Sequence, residues 1–538
     1  MILLSFDKLE VLKKQREKLS FKRIFSILLH RVVLVSLMII AQVAVIVLMI
    51  VRFSIYFSYF YLICLVISLL VALYILCNRG LSDYKIAWLV PILLFPLFGG
   101  LLYLVLGRNR VGFRKSNRFR TIDRKGQQVM AETPDARPQL EAAMPQALKT
   151  SDFIRNSSSY PICQGESNYY SLGDEAFPQI LEALRGAEHF IFLEYFIIQP
   201  GKMWDSILDI LTEKAAQGVD VRVIYDDFGS MLTLPPNYDR KLHAKGIQCV
   251  VFNPFIPVLS TRLNNRDHRK LLIVDGKIGF TGGYNLADEY INHVVRFGHW
   301  KDSGLRFTGE AVWSITVMFL SMWDSITGQQ TDFQRYHAKF QIPQIDQGEG
   351  SEDSKSALTF LQPYCVHPSD ADHLAESVLL GMIDRANRYI YFTTPYLVID
   401  ETLCQALCRA AKSGVDVRII TPHIPDKKLV FELTRANYVP LLEAGVRIYE
   451  YTPGFMHSKN VVADDQYAIV GTINLDYRSL FLHYECGVFL CGSETVLQVR
   501  DDIQSTIQLS QEVTMDEIHP GPLKRLYRAL LRVLAPLL

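Results

Sequence analysis

One pattern occurs twice in the 538 residues, and it constrains the chain more than any other feature. It reads His-x-Lys, four residues, Asp, six residues, Gly-x-x-Asn. The first copy is His268, Lys270, Asp275, Gly282 and Asn285; the second is His457, Lys459, Asp464, Gly471 and Asn474. All five positions repeat at one constant offset, so the chain is built from two related halves.

The residue types suggest the chemistry. In an extended segment side chains two apart point the same way, so each His and its Lys share a face. A histidine serves as nucleophile or proton donor near neutral pH, and a lysine beside it supplies positive charge and donors for an anionic oxygen. Together they suit a phosphoryl group. Gly282, and Gly471 with Thr472, offer backbone N–H groups where the chain approaches a ligand closely, while Asn285 and Asn474 add amide donors. The apolar run after each lysine has the pattern of a buried strand. A lone histidine is more often a packed core residue, but two copies with the same tail do not fit that reading.

The repeat extends beyond these positions. Gly218-Val219-Asp220-Val221-Arg222-Val223-Ile224 follows a helical pattern, and so does Gly414-Val415-Asp416-Val417-Arg418-Ile419-Ile420. Helices alternating with β-branched strands predict an α/β sandwich in each half. Two halves that each present one His-Lys pair imply a single site at their interface, where both histidines reach one phosphorus.

The duplicated pattern resembles the phospholipase D superfamily. The second copy, with its extension Asn474-Leu475-Asp476-Tyr477-Arg478-Ser479, is similar to bacterial cardiolipin synthases. The resemblance implies two phospholipase D-like α/β sandwich halves sharing one active site, preceded by N-terminal transmembrane helices. It also implies that one histidine attacks a phosphodiester to form a phosphohistidine while the other protonates the leaving alkoxide and then activates the incoming hydroxyl. Better-known members favour the N-terminal histidine as nucleophile, which leans toward His268 with His457 as acid and base. Lys270, Lys459, Asn285 and Asn474 would hold the non-bridging oxygens. Asp275 and Asp464 complete the motif, with a structural role as the alternative. Asp302 and Glu485 stand at positions similar to those of the carboxylates that orient each histidine in the family. Gly283 stands where many relatives carry serine, while Thr472 keeps a hydroxyl in the second copy. No metal or other cofactor is expected.

Hydrophobic residues make up 49% of the chain and mean hydropathy is positive, high for a wholly soluble protein. Residues 1–107 read as a membrane region with apolar runs at 32–51, 55–77 and 86–106, each long enough to span a bilayer. The last two are similar to the paired N-terminal membrane helices of cardiolipin synthases, and the first looks like an addition. The third contains Pro91, Pro96 and Gly99-Gly100. Basic residues before the first run and after the third both ask for the cytoplasmic side, which three full spans cannot satisfy. Either one run is re-entrant or the N-terminus crosses despite its charge. The expected location is a bacterial cell membrane, multi-pass, with a cytoplasmic catalytic part. Residues 108–150 read as a basic linker, 151–345 and 356–512 as the two halves, and 513–538 as an amphipathic segment lying on lipid or docked on the body. The acidic stretch 346–356 reads as a loop. Nine scattered cysteines read as reduced, with Cys404 and Cys408 as packing residues.

The cardiolipin-synthase reading takes phosphatidylglycerol as both donor and acceptor and releases glycerol. No nucleotide-binding fingerprint occurs, in keeping with an exchange of one phosphodiester for another. Anionic membrane lipids are expected partners and nucleic acid is not. The alternatives are a phospholipase D or phosphatidyltransferase using water or another alcohol, a nuclease, and an inactive membrane scaffold. The apolar runs and the lack of a basic, aromatic-rich face count against a nuclease, and the two intact motifs count against a scaffold.

Overall fold

The computed structural model describes residues 40–48, 51, 54–78, 81–96, 99–103, 107, 113–254, 265–338, 359–368, 370, 372–518 and 521–537. The basic N-terminal stretch and the acidic loop expected at 346–356 lie outside the described residues. The chain divides into two compact units: Met1–Arg110 with Pro257–Thr261 and Val533–Leu538, and Val111–Ile256 with Arg262–Arg532.

In the first unit the helix Ser54–Cys77 is apolar on all sides, and among the described residues the stretch Ser58–Cys77 alone is long and apolar enough to cross a membrane. Its 20 residues rise about 30 Å, the thickness of a hydrocarbon core. The third apolar run is not one continuous helix. It forms Ser82–Leu94, breaks at Phe95-Pro96, and resumes as the single turn Gly99–Leu102. Its end returns to its beginning: the Tyr84 hydroxyl donates to the Gly107 carbonyl at 3.0 Å, and the Trp88 and Tyr103 rings pack edge to face at 5.3 Å. Proline removes a donor and glycine permits close backbone approach, which together allow the reversal.

The second unit is mixed α/β and contains both halves. The first sheet runs, in spatial order, Ser167–Tyr170, Gly304–Thr308, Ile278–Gly282, Leu271–Val274, Phe190–Tyr195, Asp220–Asp226 and Gln248–Phe252. The second repeats that order with Thr359–Val366, Glu485–Cys491, Tyr467–Gly471, Asn460–Ala463, Tyr389–Thr393, Asp416–Pro422 and Arg447–Tyr451. It adds Ser510–Glu512 at one edge and Cys163–Gly165 at the other. The last of these lies in sequence within the stretch expected to be the first half, so the halves are laced together.

Helices cover the outer face of each sheet. Lys202–Ala216 buries Met203, Trp204, Ile207, Ile210 and Leu211, spaced three and four apart. Glu401–Lys412 is capped by Asp400, which accepts from the Leu403 N–H at 3.0 Å, and buries Leu403, Cys404, Leu407 and Cys408. Between the sheets the helix Ala311–Thr327 is apolar almost all round and, with Val496, Val499 and Ile503, joins one core to which both sheets contribute. This core joins the two sheets, in each of which the strand that follows the histidine lies in the interior of the sheet.

The expected basic linker is instead largely helical: Phe113–Glu132, Arg137–Ala143 and Leu148–Ser158. Met130 is buried in the central core, and Leu140, Ala147 and Ile154 in the core of the second half. Apolar positions are too sparse there to give a clear period, yet a few anchors, with Gly126 against Ser321, suffice to dock it.

Candidate active site

Each His-x-Lys segment lies in extended chain just before a strand, Leu271–Val274 or Asn460–Ala463. Backbone contacts with the opposite half fix where each histidine starts. The His268 N–H donates to the Tyr484 carbonyl at 2.9 Å, and the His457 N–H to the Lys301 carbonyl at 2.7 Å. Beside these contacts Gly454–Met456 pairs in parallel with His299–Lys301, and Asp267 bridges in parallel to Tyr484. Two short inter-half ladders thus set both histidines.

The carboxylates that meet the histidines cross between halves. Nδ1 of His268 lies 3.0 Å from both Oε1 and Oε2 of Glu485, and Nδ1 of His457 lies 2.6 Å from Oδ2 of Asp302. Both carboxylates are fully buried. Glu485 also accepts from the Thr472 hydroxyl at 2.5 Å and the Ser479 hydroxyl at 2.7 Å, whereas Asp302 accepts from the Ser303 N–H at 2.9 Å. A carboxylate on Nδ1 assigns the proton there and leaves Nε2 available. Nζ of Lys459 stands 2.9 Å from Nδ1 of His457, but the single Nδ1 hydrogen belongs to the nearer, charged Asp302, so this is a close approach and not a hydrogen bond. Each lysine donates to the carbonyl of its own histidine.

Burial governs the titration. It lowers His457 to about 4, helped by Lys459 and opposed by Asp302, and it carries His268 well below the usual imidazole value, with the charge of Lys270 next. Lys270 is brought down to about 8 and Lys459 to about 7, again chiefly by burial. For Asp302, burial acts upward, but His457, Lys459 and the Ser303 N–H outweigh it and hold the carboxyl below its usual value. The centre therefore has two neutral imidazoles with free Nε2 atoms and two lysines poised to charge fully when an anion enters. Such a set can bind a phosphoryl group, attack it and move a proton. Among the described residues no cluster of three His, Cys, Asp or Glu side chains is arranged to hold a metal ion.

Comparison with known proteins shows the family. The family description "Cardiolipin synthase, PLD-like domain" matches residues 180–295 and 379–507, and "Phospholipase_D-nuclease N-terminal" matches 65–108. A cardiolipin synthase of Geobacillus kaustophilus is 33% identical over 474 residues, covering 87% of this chain and 91% of its own. The chain belongs to the cardiolipin synthase family of phospholipase D-like proteins. An uncharacterised protein of Streptococcus mutans is 38% identical over 459 residues, 84% of this chain and 96% of that one. The phosphatidylserine synthase of Haemophilus influenzae shares the fold, with a TM-score of 0.53 at 17% identity, over 72% of this chain and 98% of that one.

Several other residues of the two motifs make structural contacts of their own. Asp275 and Asp464 lie at the far ends of their strands, separated from the lysines by four strand residues, roughly 15 Å of chain. Asp275 accepts backbone N–H groups of Glu188, His189 and Phe190 at 2.7–2.8 Å, and Asp464 those of Asn387, Arg388 and Tyr389 at 2.7–2.9 Å. They tie a hairpin turn to the start of a neighbouring strand. Gly282 and Gly471 let strands approach: a Cβ on either would stand 2.4 Å from the Ser303 or Cys486 carbonyl oxygen. The Gly283 and Thr472 N–H groups donate to those same carbonyls, so these donors are engaged within the sheets. Asn285 is engaged with the Ile197 N–H and the Tyr290 hydroxyl, while Asn474 Oδ1 has no hydrogen-bond partner among the described residues.

Gly283 shows why the two halves differ. A Cβ there would stand 2.0 Å from Oδ1 of Asp302, so any side chain would displace that carboxylate. In the equivalent place Thr472 keeps its hydroxyl and donates it to the longer Glu485.

Other buried groups escaped the sequence reading. Arg269, between the first histidine and lysine, pairs with Glu194 and Asp267 behind the site. Arg266 lies 3.6 Å from Asp226. His483 stands 6.0 Å from His268, ring to ring, and Phe196, Tyr290 and Trp300 form walls against the two motif histidines. Arg266 lies two residues before the first motif, and His483 lies four residues after the extension of the second; that proximity was the available signal.

Proposed function

We propose that this chain is a phosphatidyltransferase that joins two phosphatidylglycerols into cardiolipin and releases glycerol. The observation that carries the reading is the crossed pair of buried histidine–carboxylate contacts within one lysine-flanked centre, in a chain that belongs to a cardiolipin synthase family. Nε2 of one histidine attacks phosphorus, forming a P–N bond as the P–O bond to glycerol breaks; the other histidine, neutral in the empty site, takes up a proton at Nε2 when the phosphodiester anion enters and gives it to the departing alkoxide. The terminal hydroxyl of the second phosphatidylglycerol then gives its proton back to that histidine, its oxygen bonds to phosphorus, and the P–N bond breaks. Lys270 and Lys459 neutralise the non-bridging oxygens, and the carboxylates hold each Nδ1 proton so that each Nε2 faces the phosphorus.

The setting is a membrane. With the third apolar run folded back on itself, run 32–51 and helix Ser58–Cys77 act as two full spans. Both basic flanks then lie in the cytoplasm, where the catalytic unit meets anionic lipid, in accord with the positive-inside rule. The C-terminal helix Pro522–Leu534 supports this placement. Lys524 and Arg528 pair with Glu432, while Leu523, Leu526 and Leu530 are exposed, the reverse of a helix docked by its apolar face.

The test is the purified protein in phosphatidylglycerol liposomes, with lipids and glycerol followed by mass spectrometry. The expected result is one glycerol per cardiolipin, abolished by His268→Ala and by His457→Ala. Phosphatidic acid with glycerol and no cardiolipin would make water the acceptor and overturn the assignment.

A further inference from the structure

The two histidine–carboxylate pairs have different surroundings. On the His457 side the neighbours are polar: Lys301 and Ser303 flank Asp302, and Asn460 follows Lys459. On the His268 side Tyr484 and Cys486 flank Glu485 and Leu271 follows Lys270, and these three are buried in the apolar core that joins the sheets.

The polar neighbours form one connected network. Nζ of Lys301 donates to Oδ1 and Oδ2 of Asp502 at 2.7 and 2.9 Å and to the Ser171 carbonyl at 2.6 Å. The Tyr169 hydroxyl donates to Oδ2 of Asp502 at 2.6 Å and accepts from the Asn460 side-chain N–H at 2.8 Å, while Oδ1 of Asn460 accepts from the Ser303 hydroxyl at 3.0 Å. The contacts begin at one neighbour of Asp302 and end at the other, and they alternate between the halves: Lys301, Tyr169 and Ser303 come from the first, Asp502 and Asn460 from the second.

Lys301 is gripped at both ends. Its carbonyl accepts from the His457 and Ser458 N–H groups at 2.7 and 3.1 Å, and its ammonium meets Asp502 on the helix Glu494–Gln508. Both grips belong to the second half, so that half clamps the first-half residue next to Asp302. A buried ion pair is weak evidence for stability, because desolvation offsets much of the attraction. Charge-assisted hydrogen bonds do fix direction, and the direction fixed here is that of the backbone from which Asp302 reaches His457.

The two histidines also differ in what their carboxylates offer. Oδ2 of Asp302 faces His457 at 2.6 Å, with the Trp300 ring N–H at 3.4 Å. Each oxygen of Glu485 is instead shared between His268 at 3.0 Å and a hydroxyl, that of Ser479 at 2.7 Å or of Thr472 at 2.5 Å. Both imidazoles have a motif lysine working against their charge, so the lysines do not separate them. A carboxylate with fewer competing donors stabilises an imidazolium better, which suits His457 to carry a proton and His268 to attack as the neutral ring.

We propose that Lys301, Asp502 and Tyr169 are positioning residues for proton transfer by His457: their network holds Asp302 against that ring so that its Nε2 proton reaches the departing glycerol oxygen. This rests on the phosphatidyltransferase reading above and adds the side chains, outside both motifs, that align one of its two histidines.

The experiment compares two donors in single turnover with the full-length protein in phosphatidylcholine vesicles: phosphatidylglycerol, whose leaving alkoxide needs a proton, and phosphatidyl-p-nitrophenol, whose leaving phenolate does not. Tyr169→Phe and Asp502→Asn should slow glycerol release about tenfold and change p-nitrophenolate release less than about twofold, because the attack by His268 is untouched. His457→Ala should show the same contrast in stronger form. A merely structural role would slow both releases together, since p-nitrophenolate also counts the correctly folded molecules. That outcome, or both rates near wild type, or equal loss of both in His457→Ala, overturns the positioning role while cardiolipin synthesis stands. A wild-type protein that forms no cardiolipin from phosphatidylglycerol overturns the underlying reading, and the positioning role falls with it.

Discussion

Nδ1 of His457 and Oδ2 of Asp302 lie 2.6 Å apart although one belongs to the second half and the other to the first. Replacing the carboxylate by an amide removes the acceptor that sets the tautomer and leaves the ring position otherwise intact. Asp302→Asn should lower the transfer rate by about 10²–10⁴-fold with little change in thermal unfolding. Steady-state kinetics beside a melting curve check this, and a rate within threefold of wild type would count against the orienting role.

Gly283→Ala tests the same contact from behind. The added methyl group would meet Oδ1 of Asp302 at 2.0 Å and must push it aside. We expect about 1–3 kcal/mol of destabilisation from the overpacking and a loss of transfer of at least tenfold. Thr472→Ala, which deletes a methyl and the hydroxyl that donates to Glu485, should be milder because His268 and Ser479 still hold that carboxylate.

Asp464→Ala should behave as a stability variant. It leaves three backbone N–H groups at the start of the strand Tyr389–Thr393 without their acceptor, a loss of about 2–4 kcal/mol. The expected signature is a lower unfolding temperature with nearly normal turnover per folded molecule. Loss of turnover without loss of stability would return the residue to the catalytic set.

The lysines make anion binding depend on pH. In the empty folded site Lys459 and Lys270 release protons near 7 and 8, whereas the unfolded chain holds them to about 10.5. Their contribution to stability is therefore complete above that upper value and is lost as pH falls through 8 and then 7. A bound anion restores the protons. Sulfate, which does not titrate here, should bind with proton uptake and about tenfold more weakly at pH 9 than at pH 7. Calorimetry in buffers of different ionisation enthalpy measures the uptake, and binding without it would refute the assignment.

The C-terminal helix makes a spectroscopic prediction. An environment-sensitive label at Leu526 in proteoliposomes should emit to the blue and be quenched by brominated acyl chains, because that side chain points away from Glu432. Emission like that of a water-exposed label would mean the leucine face meets something other than lipid.

The α/β organisation in two halves was legible because it is local and repeated: Gly218 and Gly414 each end a helix in left-handed geometry, and Asp220–Arg222 and Asp416–Arg418 form the same two-residue ion pair on matching strands. The residues that meet at the site were legible only as types. Nothing in either motif states that Glu485 reaches His268 or that Asp302 reaches His457, because that follows from how two sheets face each other. The turn role of Asp275 did have a local signal, the Asp275-Gly276 pair between two apolar strands, which marks a tight hairpin with positive φ at both positions. The helix Phe113–Glu132 had almost none, since it docks through a glycine against Ser321, one buried methionine and Lys125 over the Phe333 ring.

Each half carries the brace for the other half's histidine, so the two are not interchangeable parts. A hybrid with two first halves would supply an aspartate cleared by glycine at both places, and one with two second halves a glutamate steadied by threonine and serine at both. In the natural chain the pieces are dissimilar and matched across the divide. Residues that must change together therefore lie far apart in sequence and on opposite sides of the repeat, and a family tree built from either half alone would miss the pairing that makes the centre work.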